Sequence, residues 1–188
     1  TGSFKNNVKK HCTFNGNGQS SMTPEYIPAW DNGTLQPLEK LEVHKKGLRH
    51  KAISVFLFSG KELLIQQRAL SKYHTPGLWA NTCCTHPYWQ EPSETCAKRR
   101  LYQELGINVS ELFYKDKIEY KAEVGNNLIE NEIVDIFVCY FDKKSGVTID
   151  INPEEVMSTK WINIDNLISE IRKNPDQFTP WIRIYMDK

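Results

Sequence analysis

The sequence predicts an α/β protein of the α+β kind, in which a mixed β-sheet is sandwiched between α-helices. Three observations support this prediction: apolar or alternating runs of strand length recur, helical segments with apolar stripes lie between and after them, and turn residues separate the two. Strands and helices that alternate in this way are typical of a sheet covered by helices. A chain of 188 residues can bury such a core as one domain, which we expect to span residues 25–188.

The first strong signal along the chain is a β-hairpin. Residues 51–58 form an apolar run, Ser59-Gly60-Lys61-Glu62 is a turn, and residues 63–68 form the predicted partner strand. Residues 69–92 are expected to be irregular, with Pro76-Gly77 as a turn.

A helix is predicted over residues 94–105. Ser93 is expected to be its N-cap, and Gly106 lies at the position where a left-handed residue commonly ends a helix. The stripe expected to be buried consists of Ala97, Leu101 and Leu105.

A second pair of strands follows the helix. Residues 117–124 alternate between apolar and charged side chains, Gly125-Asn126-Asn127 is a turn, and residues 129–141 form a long strand. On that strand Glu130 and Glu132 share a face with apolar side chains, so both should point inward, where they need a cation or hydrogen-bond partners. A last strand and two helices are predicted at residues 159–162, 165–173 and about 178–186.

Charge and cysteine content narrow the classes of partner. The 24 basic and 23 acidic residues give a net charge of +1, which favours a small-molecule substrate over nucleic acid or a membrane surface. The five cysteines show no CxxC spacing, so we expect free thiols in a reducing cytoplasm. We expect the protein to be a monomer or weak dimer. Residues 1–24 are polar and begin without methionine, which predicts an extension that is processed, truncated or partly vector-derived. An organelle-targeting segment is left open as an alternative.

Two short motifs bring together groups that can transfer protons beside a metal. In the segment Asn81 to Pro87, Cys84 and His86 stand two positions apart, and an extended backbone would point both to the same side. Glu130 and Glu132 repeat this spacing with carboxylates. A thiol, an imidazole and paired carboxylates therefore predict an enzyme with acid–base chemistry.

The predicted helix and the loop before it resemble the Nudix signature, G-x5-E-x7-R-E-U-x-E-E-x-G-U, in which U is aliphatic. From Thr85 onward the chain departs from the leading glycine, and Arg100 and Gln103 replace two helix glutamates. Glutamates on this helix hold the divalent ions that activate water for diphosphate hydrolysis, so the departures argue for the same fold with another chemistry. The positions that match are Glu91, Arg99, Leu101, Glu104, Gly106 and Ile107.

Over roughly residues 35–185 the chain resembles the type 1 isopentenyl diphosphate isomerases, which have a Nudix fold. The resemblance rests on motifs that occur in order along the chain. These are Leu38-Glu39-Lys40, Gly47-Leu48-Arg49-His50, Gln67 to Lys72, Pro76-Gly77, Asn81 to Pro87, Arg99-Arg100, Glu104-Leu105-Gly106, Tyr120, Glu130-Asn131-Glu132, Trp161 and Pro180-Trp181.

The resemblance implies a role for each matching residue. The proton carriers would be Cys84 and Glu132, with Tyr120 and Trp161 lining the catalytic site. A tightly held Zn, Mn or Mg ion would be bound by His44, His50, His86, Glu130 and Glu132. Glu104 would hold a second ion, Mg²⁺, that bridges to the substrate diphosphate. The basic residues that contact the diphosphate would be Lys40, Arg68, Lys72 and Arg100.

The chemistry of such an isomerase independently requires these residue types. Moving a double bond by one position adds a proton at one carbon and removes one from another, through a tertiary carbocation that water would destroy. Two proton carriers, a dry pocket and an aromatic face are therefore needed.

Several residues have simpler interpretations as parts of the core. We expect Trp161 to serve the pocket and Trp181 to be a core aromatic, while Tyr120 could also be a packed strand residue. His44 is expected in a loop, six residues before His50. We expect Cys83, Cys96 and Cys139 to be inert packing residues, and no role is assigned to His11 and His74.

Two other functions compete with the isomerase. A Nudix hydrolase would need the full glutamate set and has no use for Cys84. A silent diphosphate-binding module would have no reason to retain every catalytic position. The isomerase is the interpretation that both motifs and chemistry favour.

Overall fold

The computed structural model describes residues 24–188, so the predicted N-terminal extension, apart from its last residue, lies outside the described residues. The strands are β1 Tyr26–Asp31, β2 Thr34–Glu39, β3 His50–Ser59, β4 Glu62–Arg68, β5 Trp79–Ala80, β6 Cys83–Thr85, β7 Phe113–Glu123, β8 Ile129–Tyr140 and β9 Val156–Asn163. The helices are α1 Lys40–Lys46, α2 Ser93–Leu105, α3 Ile164–Lys173 and α4 Pro180–Met186. Short 3-10 turns occupy Lys143–Ser145 and Pro175–Gln177.

The strands join into one mixed sheet around β3. Strand β3 runs parallel to β8 and antiparallel to β1, β4 and β6. Strand β4 also pairs antiparallel with β5 and with β9, and β7 pairs with β8 in an antiparallel hairpin. Because β3 and β8 are parallel while the other pairs are antiparallel, the sheet is mixed, as the sequence predicts.

Helices cover both faces of this sheet. Helix α2 buries Ala97, Leu101 and Leu105 against one face, as expected from its apolar stripe. Helices α3 and α4 pack on the other face through residues such as Leu167 and Ile182. The sheet therefore lies between helices, which confirms the predicted fold class. Between residues 24 and 188, no helix is long and apolar enough to cross a membrane.

The two ends of α2 agree only in part with the prediction. Gly106 ends the helix in a left-handed conformation, with φ of 65°. The residue before the helix is Pro92, however, and Ser93 is already helical. The Ser93 hydroxyl donates a hydrogen bond to Asp135 Oδ2, at 2.6 Å, instead of capping the helix. The hydroxyl that the local sequence predicts as a helix cap therefore forms a tertiary hydrogen bond with β8 instead.

The segment before β3 holds elements that the sequence analysis did not assign. Strands β1 and β2 form a hairpin through Asn32-Gly33, which both have positive φ, at 49° and 79°. An Asn-Gly pair between strands is a recognised hairpin signal, so this element was readable from the sequence. Helix α1 follows, with the Glu39 carboxylate accepting from backbone N–H groups at its start and Gly47 ending it at φ of 62°. This helix positions Lys40 and His44.

Candidate active site

Three histidines converge where α1, β3 and β6 meet. His44 lies near the end of α1, His50 opens β3 and His86 follows β6. Each Nδ1 faces a backbone carbonyl, which can only accept, so Nδ1 carries a hydrogen and Nε2 is the nitrogen available to a metal ion. These carbonyls belong to Lys40, Leu48 and Lys51, at 2.7, 2.8 and 3.2 Å respectively.

The Nε2 atoms of these rings are suited to a metal ion. Those of His44 and His50 are buried without a hydrogen-bond partner, which is costly unless a cation uses them. Burial lowers the pKa of His44 to about 4, so this ring is neutral, as a metal ligand must be. Together with Glu132, the three histidines offer ligand atoms that all lie within 4.8 Å of one another. The residues present therefore fit a divalent ion.

Two carboxylates of β8 complete this centre. Glu130 and Glu132 are 4% and 3% exposed, and His50 is the cross-strand partner of Glu132. The Tyr120 hydroxyl lies 2.7 Å from an oxygen of each carboxylate. Burial, and then the neighbouring charge of Glu132, raise the pKa of Glu130. Two carboxylates this close need a cation or a shared proton, because two unscreened negative charges repel each other.

Cys84 lies in the same pocket, opposite β3. Its cross-strand partner is Ser54, whose Oγ is 2.7 Å from the Cys84 sulfur. Ser54 also hydrogen-bonds the Tyr185 hydroxyl, at 3.1 Å. Burial raises the pKa of the Cys84 thiol well above its usual value, so the group holds a proton that it can deliver. His86 lines the pocket too, as its spacing from Cys84 predicts.

The neighbouring thiol points the other way. Cys83 is fully buried in the cluster under α2, in agreement with a packing role. Its sulfur lies 3.1 Å from Glu104 Oε2. Glu104 lines the pocket and also accepts from Gln66 and Arg100, at 3.1 and 2.7 Å.

The structure brings the four predicted basic residues to the rim of this pocket, and these are Lys40, Arg68, Lys72 and Arg100. Three of these basic residues form ion pairs with two acidic residues to which the sequence analysis gave no role. Glu25 pairs with Lys40 at 2.9 Å, and Glu155 pairs with Lys72 at 2.5 Å and with Arg100 at 3.4 Å. The cavity between all these side chains measures about 40 Å³.

The tryptophan assignment needs correction. Trp161 pairs with Leu64 between β9 and β4 and packs into the cluster on the α2 face, away from the pocket. Trp181, on α4, is 2% exposed and lines the pocket, with the Arg68 guanidinium 5.2 Å from its ring centre. Both residues stand in apolar contexts, so only the docking of the strand and the helix decides which faces the site.

Tyr73, His74, Ser54 and Tyr185 also belong to this region, although sequence reasoning missed them. Tyr73 and His74 line the pocket from the loop between β4 and β5. Their signal in the sequence is their place between the basic motif ending at Lys72 and the Pro76-Gly77 turn. Tyr185 reaches Ser54 from the C-terminal helix, a contact that no local pattern predicts.

Comparisons with known proteins agree on the family. The NUDIX domain profile matches residues 48–182. A curated Rhodobacter capsulatus protein named isopentenyl-diphosphate Delta-isomerase is 57% identical over 167 residues, covering 89% of this chain and 94% of that protein. A Jannaschia protein with the same name is 55% identical over 163 residues, covering 87% and 92%.

Solved structures with similar folds are far more distant in sequence. A Deinococcus radiodurans protein superposes with a TM-score of 0.67 at 12% identity, covering 87% of this chain and 98% of that one. A MutT NUDIX hydrolase from Burkholderia pseudomallei gives 0.58 at 16% identity, covering 74% and 96%. At such identities the similarity concerns the fold alone.

Proposed function

The chain belongs to the NUDIX family and, within it, to the isopentenyl-diphosphate Delta-isomerases, and from that premise we propose which of its residues perform the reaction. The enzyme interconverts isopentenyl and dimethylallyl diphosphate in isoprenoid biosynthesis. The observation that supports the residue roles best is that Cys84 and Glu132 line the same buried pocket as the basic cluster.

Cys84 and Glu132 act as the two proton carriers. One delivers a proton to the terminal alkene carbon, which leaves a tertiary carbocation at the branched carbon. The other removes a proton from the carbon next to it on the diphosphate side, and the electron pair of that C–H bond becomes the new double bond. One proton enters and one leaves, so no oxidant or hydrolytic water is needed, and the two roles exchange when the direction reverses.

The divalent ion belongs to the centre formed by the histidines and β8. We assign its ligands as His44, His50, His86 and Glu132, whose ligand atoms lie within 4.8 Å of one another, with Glu130, which lies near His44 and His74, as the fifth. The ion is assigned as Zn, Mn or Mg, because nitrogen and carboxylate oxygen together suit these metals. When bound, the ion supplies positive charge that neutralises the paired carboxylates. Coordination to the ion would hold Glu132 at a defined place in the pocket.

The diphosphate binds at the basic rim. Arginine forks and lysine ammonium groups are the usual partners of such an anion, and Arg68 makes no ion pair with any carboxylate in the described part of the chain. Glu104 is assigned to a Mg²⁺ ion that accompanies the diphosphate. A cavity of about 40 Å³ holds only a few water molecules, so we expect side chains of the rim to rearrange as the substrate enters.

The remaining assignments concern the environment of the chain. The net charge of +1 and the absence of a basic excess support a small-molecule substrate without nucleic acid or membrane partners. The relatives are bacterial enzymes, which supports a place in the cytoplasm. We propose that the active enzyme is a monomer or weak dimer.

The test of the reaction is incubation of isopentenyl diphosphate with the chain and Mg²⁺ in deuterated water, followed by NMR. Deuterium should enter the allylic product, and no phosphate should be released. Release of phosphate or of a monophosphate without isomerisation would show a hydrolase instead. The site disfavours that outcome, because Arg100 occupies a glutamate position of the hydrolase signature and pairs with Glu104 at 2.7 Å.

The two tryptophans allow a matched comparison. We expect Trp181→Leu to lower kcat by about 30-fold, since a desolvated cation–π contact contributes about 2 kcal/mol to a cationic transition state. Trp161→Leu should leave kcat nearly unchanged, because its side chain packs on the other face of the sheet. To check this, kcat of both variants is measured by steady-state kinetics at a temperature well below the melting temperature of each. Equal losses in the two variants, or retention of kcat in Trp181→Leu, would contradict the assignment.

A further inference from the structure

A fourth histidine, His74, stands beside the proposed metal centre without a role. It lies in the loop between β4 and β5, is 3% exposed and lines the pocket. Its ring stacks on that of His44, with centres 5.8 Å apart, and meets the Trp181 ring edge-on at 5.9 Å. The His74 ring therefore packs between the rings of His44 and Trp181.

His74 differs from the other three histidines at Nδ1, which faces a hydroxyl and not a backbone carbonyl, whereas His50 Nε2 also faces a carboxylate, at 3.4 Å from Glu132 Oε1. His74 Nδ1 lies 2.9 Å from the Thr75 hydroxyl, which can donate as well as accept. His74 Nε2 lies 3.3 Å from Glu130 Oε1. The other oxygen of Glu130 contacts the Tyr120 hydroxyl at 2.7 Å.

The Glu130 contact selects the tautomer of His74. A carboxylate oxygen accepts hydrogen bonds, so a bare Nε2 lone pair facing it would be repelled. An Nε2–H group is attracted, and Thr75 can then donate to Nδ1. In this tautomer each nitrogen of His74 faces a complementary group, at 2.9 and 3.3 Å, whereas the Nε2 atoms of His44 and His50 have no hydrogen-bond partner.

The shared His44 argues against a second ion at His74. Ligand atoms of His44, His74 and Glu130 also lie within 4.8 Å of one another, so this group could bind a metal. However, His44 has one free nitrogen, which also belongs to the group with His50, His86 and Glu132. An ion in that larger group uses this nitrogen and leaves His74 outside the ligand set.

We propose that His74 is a positioning residue of the metal centre, which donates its Nε2–H to Glu130 and so holds this carboxylate for the ion; the inference rests on the proposed metal site. Outer partners of this type typically change metal affinity by about 10- to 100-fold. His74 therefore contributes to retention of the ion without binding it directly.

The experiment measures Zn²⁺ affinity of the full chain by competition with a chromophoric chelator, together with the visible spectrum of the Co²⁺-loaded protein. His74→Ala should weaken Zn²⁺ binding by about 10- to 100-fold without changing the shape of the Co²⁺ spectrum. His74→Gln, whose amide N–H can still donate to Glu130, should restore most of the affinity. Thr75→Val should weaken binding in the same direction, and Thr75→Ser should not.

Three results would overturn the inference. Unchanged affinity in His74→Ala would remove any role for the ring. A changed Co²⁺ spectrum in both His74 variants would make His74 a direct ligand. Failure of His74→Gln to recover affinity, with folding verified by circular dichroism, would exclude the hydrogen bond as the cause. His44→Ala serves as the reference: if it binds Zn²⁺ normally, the metal site itself is wrong, independently of His74.

Discussion

Replacement of Cys84 by alanine should lower kcat by about 10³- to 10⁴-fold, the upper part of the range for loss of a general acid–base group. The reason is that the thiol is one of two proton carriers, and its neighbour Ser54 has a hydroxyl too weakly acidic to replace it. The fold should survive, because the change removes one buried sulfur atom, at a cost of about 1 kcal/mol. Turnover is measured by NMR with isopentenyl diphosphate, and folding by thermal melting.

Cys139→Ala is the matched control for this variant. Cys139 is buried and on the central sheet, but it packs on the α2 face, where its thiol donates a hydrogen bond to the Glu111 carbonyl, at 3.5 Å. Its kcat should stay close to that of the unchanged chain. Near-normal turnover in Cys84→Ala would rule out the thiol as a proton carrier.

Glu132→Gln should reduce kcat by about 10³-fold or more. The amide has nearly the shape of the carboxylate and can still contact Tyr120, but it cannot accept the substrate proton. It is also a weaker ligand than a carboxylate, so the bound ion should be lost more easily. Turnover and metal content are therefore measured on the same preparation.

Saturation with metal separates the two effects of this substitution. If excess Zn²⁺, Mn²⁺ or Mg²⁺ restores kcat, Glu132 serves only as a ligand and the proton-carrier role is refuted. If the ion is bound and kcat stays low, the proton role stands. Glu123→Gln, an exposed carboxylate at the end of β7, is the control and should leave both quantities unchanged.

Some features of the site follow from neighbouring residues in the chain, whereas others follow from contacts between distant segments. The pairs Cys84–His86 and Glu130–Glu132 could be assigned to the interior because side chains in extended backbone alternate with a period of two. The same rule predicts that Cys83 points away from Cys84, and Cys83 lies under α2. The stripe of α2 and the turn at Gly106 were predictable for the same reason, since their geometry depends on neighbouring residues.

Other features depended on contacts that no local pattern contains. Serine is a common N-cap residue, but the Ser93 hydroxyl donates its hydrogen bond to Asp135 of β8 instead. His74 is one more histidine in a loop until the fold places it 3.3 Å from Glu130. Glu25, near the start of the described chain, and Glu155, between α2 and β9, are far apart in sequence, yet both form ion pairs at the basic rim, with Lys40 and Lys72.

The sequence by itself determined the fold class, the family resemblance and the chemistry, because ordered motifs and strand periodicity are properties of short segments. Only the tertiary structure decided that Trp181 and not Trp161 faces the pocket, and that Ser54, Tyr185 and His74 surround the reactive groups. The physical reason is that a side chain's direction follows from its own backbone, whereas its neighbours follow from how separate strands and helices pack.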